Sequence, residues 1–290
     1  MAQNFLLRLV ARSPEAISSI NPPPKDAVPG EVAQSELDGR LHYLRDFHLQ
    51  PATDIDALRS AMLSHSASLS AYAIMPQARP QMRLAVFDTD STFIDQEVID
   101  EIADFAGCKK EVAAITERAM RGELDFNAAL AERVQLLAGL DTEVMAKVRD
   151  TRLSLTNGAP ELVRALQAQQ IKTYLVSGGF SFFTGHFARL LGMTGEFAND
   201  LESENGKLTG RTRGQIVNRQ RKADLLRSVA VEHGIALNAT VAVGDGANDV
   251  DMCRASGMGI AFCAKPALQN ETYAAVFERD LRLILPLLSN

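Results

Sequence analysis

The sequence predicts an α/β fold built on a mainly parallel sheet, and three observations support this prediction. Short apolar runs such as LAVF at 84–87 alternate with amphipathic helical segments along the chain. Three of these runs end in polar residues, namely Asp88, Ser177 and Asp245. A long block of helical periodicity follows the first run. Because crossover helices bury both faces of such a sheet, this order favours a Rossmann-like parallel sheet with a helical bundle inserted as a cap.

Residues 1–82 are predicted to form a separate small α+β domain. FLLRLVA predicts a strand and DIDALRSAML predicts a helix. Pro76, Pro80 and the polar residues between them are typical of a linker that precedes the strand LAVF. We therefore expect residues 83–290 to form a second, larger domain.

The inserted cap is predicted at about residues 96–150. The periodicity there indicates helices, and Gly107, Gly122 and Gly139 with short polar turns mark the breaks between them. A compact bundle at this point of the chain would cover the carboxyl edge of the sheet, where ligands bind in open α/β folds.

The remaining elements are predicted from the alternation of apolar strands with amphipathic helices. ELVRALQAQQ and FTGHFARLLG predict helices on either side of the strand KTYLVS, and Asn205-Gly206 suits the tight turn of a β-hairpin. The helix RKADLLRSVAVEHG, the strand TVAVG, the helix DVDMCRASG and a last short strand GIAF complete the predicted sheet.

Composition and charge restrict the function. Apolar residues make up 46% of the chain and charged residues 23%, as in ordinary globular proteins. A net charge of -6 argues against broad attraction to nucleic acid or to anionic membranes, so a small-molecule partner is expected. No apolar run reaches spanning length without charges, and three cysteines without CxxC spacing favour neither disulfides nor a zinc site. We therefore expect a cytoplasmic protein.

The strongest chemical signal is the run FDTDST at 87–92. It places Asp88 and Asp90 two residues apart at the end of a buried strand, where carboxylates repel each other unless a cation compensates. Mg2+ binds carboxylate, backbone and phosphate oxygens together, so it could supply that compensation. A solvated Asp-rich turn is the alternative interpretation.

Two further elements are weak when taken alone. Asp245 in VGDGAND could complete a metal site, while Asn248 and Asp249 could orient a ligand, cap the following helix, or do both. Ser177-Gly178 in VSGGF could cradle a phosphate oxygen at a helix N-terminus, or could form only a tight turn.

Lys222 in RKADLL could neutralise a bound phosphate, although a helix lysine is usually solvated. Taken together, the order DxDxT, a strand ending in SGG, a lysine and GDGxND resembles the haloacid-dehalogenase-like phosphatases. The cap segments IDEIADFAG, ITERAMRGELDF and ERVQLL, with NGKLTG and AFCAKP, resemble those of the phosphoserine phosphatases of that family. The resemblance extends from about Leu84 to the C-terminus.

This resemblance implies a HAD-like fold and Mg2+-dependent hydrolysis of O-phospho-L-serine, the last step of serine biosynthesis, through an aspartyl-phosphate. Asp88 would be the nucleophile and Asp90 the general acid and base. The Asp88 carboxylate, the Asp90 carbonyl and Asp245 would hold the metal. Asp249 would support the metal's outer shell and Thr92 would brace the loop.

The resemblance also implies substrate contacts. Ser177, the Gly178 amide, Lys222 and Asn248 would bind the phosphate.

In the cap, Glu97 would receive the substrate ammonium and Arg133 its carboxylate, because a zwitterion needs one of each. Met120 and Phe126 would line the pocket or, equally, pack in the core. In the alternative interpretation Glu97 and Arg133 are surface residues of amphipathic helices. Thr89 departs from the hydrophobic residue expected at its position in relatives.

Related bacterial enzymes often carry an ACT-like, ferredoxin-like domain at the position of residues 1–82. No glycine-marked ligand loop is evident there, so homodimerisation or structural support is expected rather than effector binding. The alternatives for the whole chain are a phosphatase or phosphotransferase for phosphothreonine or phosphohomoserine, and an inactive amino-acid-binding regulator. A P-loop or dinucleotide enzyme is disfavoured, since neither glycine motif occurs.

Overall fold

The structure of the protein, a computed structural model, describes residues 4–20, 27–37 and 39–289. In this part of the chain eleven strands form one sheet. The strands are β1 Phe5–Ala11, β2 Val28–Leu37, β3 Arg40–Leu49, β4 Ala71–Pro76, β5 Leu84–Phe87, β6 Lys172–Phe180, β7 Gly195–Glu204, β8 Lys207–Arg213, β9 Thr240–Gly244, β10 Met258–Phe262 and β11 Ala274–Val276. The helices are α1 Pro14–Ser19, α2 Ile55–Ser64, α3 Val98–Ala106, α4 Lys109–Met120, α5 Phe126–Gln135, α6 Glu143–Arg152, α7 Ala159–Ala168, α8 Ser181–Leu190, α9 Arg219–Glu232, α10 Val250–Ala255, α11 Pro266–Gln269 and α12 Ile284–Leu288. Of the helices in the described ranges, none combines the length and the apolar character needed to cross a bilayer.

The centre of the sheet is parallel, as predicted. The spatial order is β2-β3-β1-β4-β11-β10-β9-β5-β6-β7-β8, and the strands from β11 to β7 run parallel to one another. Every residue of β5 and β9 is buried, as expected for strands covered on both faces. Because β5 lies between β9 and β6, the carboxyl ends of these three strands adjoin at one edge. The predicted α/β class is confirmed.

Helices α3 to α6 occupy the segment between β5 and β6, which confirms the predicted insertion after the first parallel strand. Gly107, Gly122 and Gly139 lie at the breaks with φ of 71°, 78° and 81°, a left-handed conformation that glycine adopts without steric cost. The two connections of this segment to the sheet meet at an isolated β-bridge between Ile94 and Leu155. The helical cap is therefore attached to the sheet through paired connections.

The prediction that GIAF is the last strand is wrong. β11 follows it, and pairs in parallel with β10 and antiparallel with β4. The three residues of β11, two alanines and a valine, are too few to show a strand periodicity in the sequence. In the fold, however, this short strand joins the N-terminal strands to the parallel strands.

The elements from β1 to β4, here called the N-terminal unit, follow the order βαββαβ of ferredoxin-like units. Their strands pair antiparallel. Buried side chains on each face of the sheet continue from these strands into the parallel ones: Val10 and Phe87 belong to one core, and Leu9 and Val86 to the other. The N-terminal unit thus shares its cores with the rest of the chain, while the domain division at residue 82 stays a prediction.

The chain is tightly packed around Gly158, which directly precedes α7, and a substitution there tests this packing. Its φ is +80°, and an added Cβ would lie 2.6 Å from Asp280 Oδ1 and 2.7 Å from Arg282 Cγ. We expect Gly158→Ala to lower the free energy of unfolding by roughly 2–4 kcal/mol, because crowding adds to the penalty of a left-handed alanine. Urea denaturation followed by circular dichroism measures the loss.

Gly139→Ala is the matched control. Its φ of +81° is almost the same, but nothing lies within 4 Å of an added Cβ. We expect it to cost only about 1–2 kcal/mol, the conformational penalty alone. Equal losses in the two variants would contradict the crowding at Gly158.

Candidate active site

Three strand ends meet at the carboxyl edge of the sheet. Asp88 directly follows β5, Asp245 directly follows β9, and Ser177 lies in the last part of β6. All three side chains are buried. Because β5 is hydrogen-bonded to both β9 and β6, the sheet places these residues side by side.

A buried lysine binds two carboxylates at this edge. Lys222 lies in α9 with 0% of its surface exposed, and its Nζ is 2.7 Å from both Asp88 Oδ1 and Asp249 Oδ1. Burial alone lowers the pKa of Lys222, but Asp249 and Asp88 outweigh it and raise the pKa, so the ammonium keeps its charge. The alternative of a solvated helix lysine is therefore wrong.

Asp249 braces the turn that follows β9. Its Oδ2 accepts hydrogen bonds from the amides of Asp245 at 3.2 Å and Gly246 at 3.1 Å, while its Oδ1 binds Lys222. A Cβ at Gly244 would lie only 2.3 Å from Asp249 Cγ. Glycine is thus required at position 244 because the Asp249 carboxylate packs directly on the backbone.

Asp88, Asp245 and Asp249 could hold a metal ion. Each offers a carboxylate oxygen, and these oxygens lie within 4.8 Å of one another. Both oxygens of Asp249 already accept hydrogen bonds, whereas Asp88 Oδ2 has only a long contact of 3.5 Å with Asn248 Nδ2 among the described residues. Asp88 and Asp245 are therefore the carboxylates best able to bind a cation.

The buried cluster of Asp88, Asp245, Asp249 and Lys222 has three carboxyl groups and one ammonium group. Burial, and then Asp249, raises the pKa of Asp88 well above its ordinary range. The same two causes raise the pKa of Asp245 to about 6. Lys265 approaches Asp245 Oδ2 at 3.8 Å, but its side chain is largely exposed. A hard divalent cation would offset this excess charge, so the donor set fits such an ion.

Asp90 lies in an irregular turn, Thr89–Phe93, in which Ser91 has a φ of 57°. Its carboxylate accepts the Val98 amide at 3.3 Å. Burial, and then the charge of Glu97, raises the pKa of Asp90 to about 8. This raised pKa favours the protonated form of the carboxyl at neutral pH.

The SGG segment differs from its prediction. β6 continues to Phe180, and α8 begins only at Ser181, so Ser177-Gly178 does not lie at a helix N-terminus. The cause is Phe180, which pairs with Asn199 of β7 after a break in register and keeps the segment in the sheet. The Gly179 amide donates to Ser177 Oγ at 2.8 Å. A Cβ at Gly179 would lie 3.1 Å from both Ser177 Oγ and Asp90 Oδ2, so the segment faces Asp90.

Asn199 supports this segment and has no counterpart among the sequence-predicted site residues. Its side chain is 1% exposed, donates to Gly178 O at 2.8 Å and accepts the Val217 amide at 2.8 Å. It therefore fixes the SGG backbone relative to the loop before α9. The signal in the sequence is an asparagine inside a strand, and no local pattern links it to partners about 20 residues away.

The cap brings three of its predicted residues toward the site. Glu97 accepts Ser91 Oγ at 2.8 Å. Arg133 is partly buried, which lowers its pKa, while the charges of Asp100, Glu97 and Asp90 oppose that shift. The ring of Phe126 lies against the SGG backbone, since a Cβ at Gly178 would be 2.9 Å from its Cζ.

Met120 and Thr92 are placed differently from these residues. Met120 ends α4 with 79% of its surface exposed, so the core-packing interpretation is wrong and its role in a pocket stays a prediction. Thr92 and Thr89 are fully buried, yet neither Oγ1 has a hydrogen-bond partner within the described part of the chain. Any bracing of the loop by Thr92 therefore comes from packing.

Comparison with known proteins places this geometry in a family. Residues 85–254 match the model of the haloacid dehalogenase-like hydrolases, and the chain belongs to this family. A phosphoserine phosphatase of Archaeoglobus fulgidus is 47% identical over 201 residues, which are 69% of this chain and 58% of that protein. The match thus spans little more than half the length of that relative.

Two solved structures are also similar. A phospho-aspartyl intermediate analogue of phosphoserine phosphatase has a TM-score of 0.68 at 41% identity, covering 72% of this chain and 100% of that one. A HAD family hydrolase from Salmonella enterica subsp. enterica serovar Typhi has a TM-score of 0.86 at 27% identity, covering 100% and 99%. The second similarity includes the N-terminal unit.

The raised pKa of Asp245 predicts how stability depends on pH without metal. The folded protein holds this proton up to about pH 6, whereas the unfolded chain releases it near pH 4. The stabilising contribution is complete below about pH 4 and is lost as the pH rises to about 6, a change of roughly 3 kcal/mol. Urea denaturation in chelator between about pH 4 and 7 measures it.

Asp245→Asn supplies the comparison, because it removes this titration. We expect the variant to lose less stability than the wild type over the same pH range, and added Mg2+ to stabilise the wild type more at pH 7 than at pH 5. Parallel pH profiles for the two proteins in chelator would contradict the assignment to Asp245.

Proposed function

We propose that the protein is a Mg2+-dependent phosphoserine phosphatase, which hydrolyses O-phospho-L-serine to L-serine and phosphate. The observation that carries the proposal is the pair of aspartates after β5, of which Asp88 is bound to the buried Lys222 and Asp90 lies in the irregular turn that faces the SGG segment. The named relatives support the same substrate.

In the proposed reaction an oxygen of Asp88 attacks phosphorus, the bond from phosphorus to the serine oxygen breaks, and Asp90 donates its proton to that oxygen. Water then attacks the phosphorus of the aspartyl-phosphate, and Asp90 takes a proton from the water. Phosphate leaves and the Asp88 carboxylate is restored. A carboxyl with a pKa of about 8 is suited to the first of these proton transfers.

Four groups bind the phosphate in this proposal. Lys222 already binds Oδ1 of Asp88, and the side-chain amide of Asn248 lies 3.5 Å from Oδ2 of the same carboxylate. The hydroxyl of Ser177 and the amide of Gly178 come from the segment that faces Asp90. Lys222 and the SGG segment are held in place before substrate binds, so they can stabilise charge on the transferring group without reorganisation.

Asp88, the Asp90 carbonyl and Asp245 would hold Mg2+, with Asp249 bracing the turn behind them. The ion would reduce the repulsion between an anionic nucleophile and an anionic substrate. The excess of carboxylates over ammonium groups in the buried cluster supports this choice.

Substrate selectivity is assigned to the cap. Glu97 receives the ammonium of the substrate and Arg133 its carboxylate, while Phe126 and Met120 contribute apolar surface. The partial burial of Arg133 near Glu97 and Asp90 supports its part in the assignment. The homodimer expected through residues 1–82 stays a prediction.

Phosphate release from O-phospho-L-serine tests the function. We expect release that requires Mg2+ and that Asp88→Asn reduces by more than about 1000-fold, because the nucleophile is lost. Circular dichroism of the variant checks that it is folded. A folded Asp88→Asn variant with wild-type turnover, or release that persists in chelator, would disprove the proposed chemistry.

Selectivity is tested with two truncated substrates, O-phosphoethanolamine and the phosphate ester of 3-hydroxypropanoic acid. Glu97→Gln is expected to lower kcat/KM by roughly 10- to 100-fold for the substrates that carry an ammonium, through loss of a charged hydrogen bond. The ester without an amino group should lose far less, namely only what the lower pKa of Asp90 costs once the charge of Glu97 is removed.

Arg133→Met is the reciprocal control. It should lower kcat/KM for the two substrates that carry a carboxylate and spare phosphoethanolamine. A uniform loss across all three substrates in either variant would contradict the assignment.

A further inference from the structure

Arg279 holds the loop that carries Asp90. Its Nε donates to Asp95 Oδ1 at 2.6 Å, its Nη1 to Ser91 O at 3.2 Å, and its Nη2 to Ile94 O at 3.1 Å. One planar guanidinium therefore binds the loop at three points along the chain. Such a fork can fix a backbone in a way that a single ammonium cannot.

The loop needs support from outside because its own conformation is unfavourable. Ser91 has a φ of 57°, in the left-handed region that residues with a Cβ rarely adopt. Asp90 immediately precedes it, and its carboxylate accepts one long hydrogen bond, from Val98. The position of the Asp90 carboxyl thus depends on what holds Ser91.

Arg279 also contacts the attachment of the cap. Asp95, its carboxylate partner, accepts Ser154 Oγ at 2.9 Å from the other cap connection. The neighbouring residues Ile94 and Leu155 form the bridge between the two connections. A single side chain therefore binds both the loop of Asp90 and the point where the cap joins the sheet.

The residues on either side of Arg279 extend this arrangement. Glu278 accepts hydrogen bonds from Arg12 Nε at 2.7 Å and from Ser70 Oγ at 2.6 Å, and both of these donors belong to or adjoin the N-terminal unit. This segment directly follows β11, which pairs with β4. The N-terminal unit is thus connected to the loop through two adjacent residues.

We propose that Arg279 is a positioning residue that keeps the Asp90 loop in its reactive arrangement, and that the N-terminal unit supports it through Glu278. The inference rests on the proposed function. Arg279→Met is expected to lower kcat for O-phospho-L-serine by roughly 10- to 100-fold while KM stays within about twofold, because a small displacement of a reacting group is costly. Arg279→Lys should recover part of kcat, since an ammonium can bind Asp95 but cannot span both carbonyls.

Arg164→Met is the matched control. Arg164 also bonds a carbonyl and a carboxylate, but within its own helix, at Pro160 O and Glu161 Oε1. Its kcat is expected to equal that of the wild type. Wild-type kcat in Arg279→Met, or a rise in KM with kcat unchanged, overturns the inference.

The outcomes separate the two proposals. Absence of Mg2+-dependent release by the wild type refutes the proposed function, whereas an active wild type with an unaffected Arg279→Met refutes only the role of Arg279. If Arg279→Met does not fold, Arg279→Lys decides: a lower kcat at constant KM supports the role, and wild-type kcat overturns it.

Arg12→Met tests the contribution of the N-terminal unit. We expect a smaller loss of kcat, about 2- to 5-fold, and no further loss when it is combined with Arg279→Met, because both act on one structural element. Unchanged kcat in Arg12→Met, or full additivity in the double variant, overturns support through Glu278.

Discussion

The ammonium of Lys222, buried between the carboxylates of Asp88 and Asp249, is the interaction on which the active-site edge depends. It joins α9 to the end of β5 and to the turn after β9. Removing one partner of a buried salt bridge leaves an unpaired charge, which lowers the free energy of unfolding by about 3–5 kcal/mol. The requirement for glycine at position 244 follows from the same arrangement, because Asp249 must approach the backbone closely to reach the lysine.

Two aspartates that are only two residues apart, Asp88 and Asp90, have different surroundings. Asp88 is bound to the ammonium and is suited to act as an ionised nucleophile once a cation is present. Burial, and then the charge of Glu97, raises the pKa of Asp90 to about 8. The different roles proposed for them therefore rest on their surroundings, since the residue type is the same.

The N-terminal unit shares one sheet and both hydrophobic cores with the rest of the described chain. β11 joins its antiparallel strands to the parallel strands, and the buried side chains on both faces form cores that cross this junction. The segment that leaves β11 carries Glu278 and Arg279, which bind the N-terminal unit and the loop of Asp90 in turn. The N-terminal unit is thus connected to the loop of Asp90 by direct contacts, and this connection does not depend on a ligand bound to the unit.

Local chemistry allowed much of the fold to be predicted from the sequence. The apolar run of β5, the glycine breaks in the cap and the hairpin turn at Asn205-Gly206 depend on residues close together in the chain, and the turn indeed has positive φ at both positions. The candidate residues at the sheet edge were predicted from ordered motifs, and those in the cap from the resemblance to the family. Only the tertiary structure decided the burial of Lys222, the bracing by Asn199 and the reach of Arg279 to a residue 188 positions away. Those features depend on partners distant in sequence, and no local pattern records which chain segments the sheet brings together.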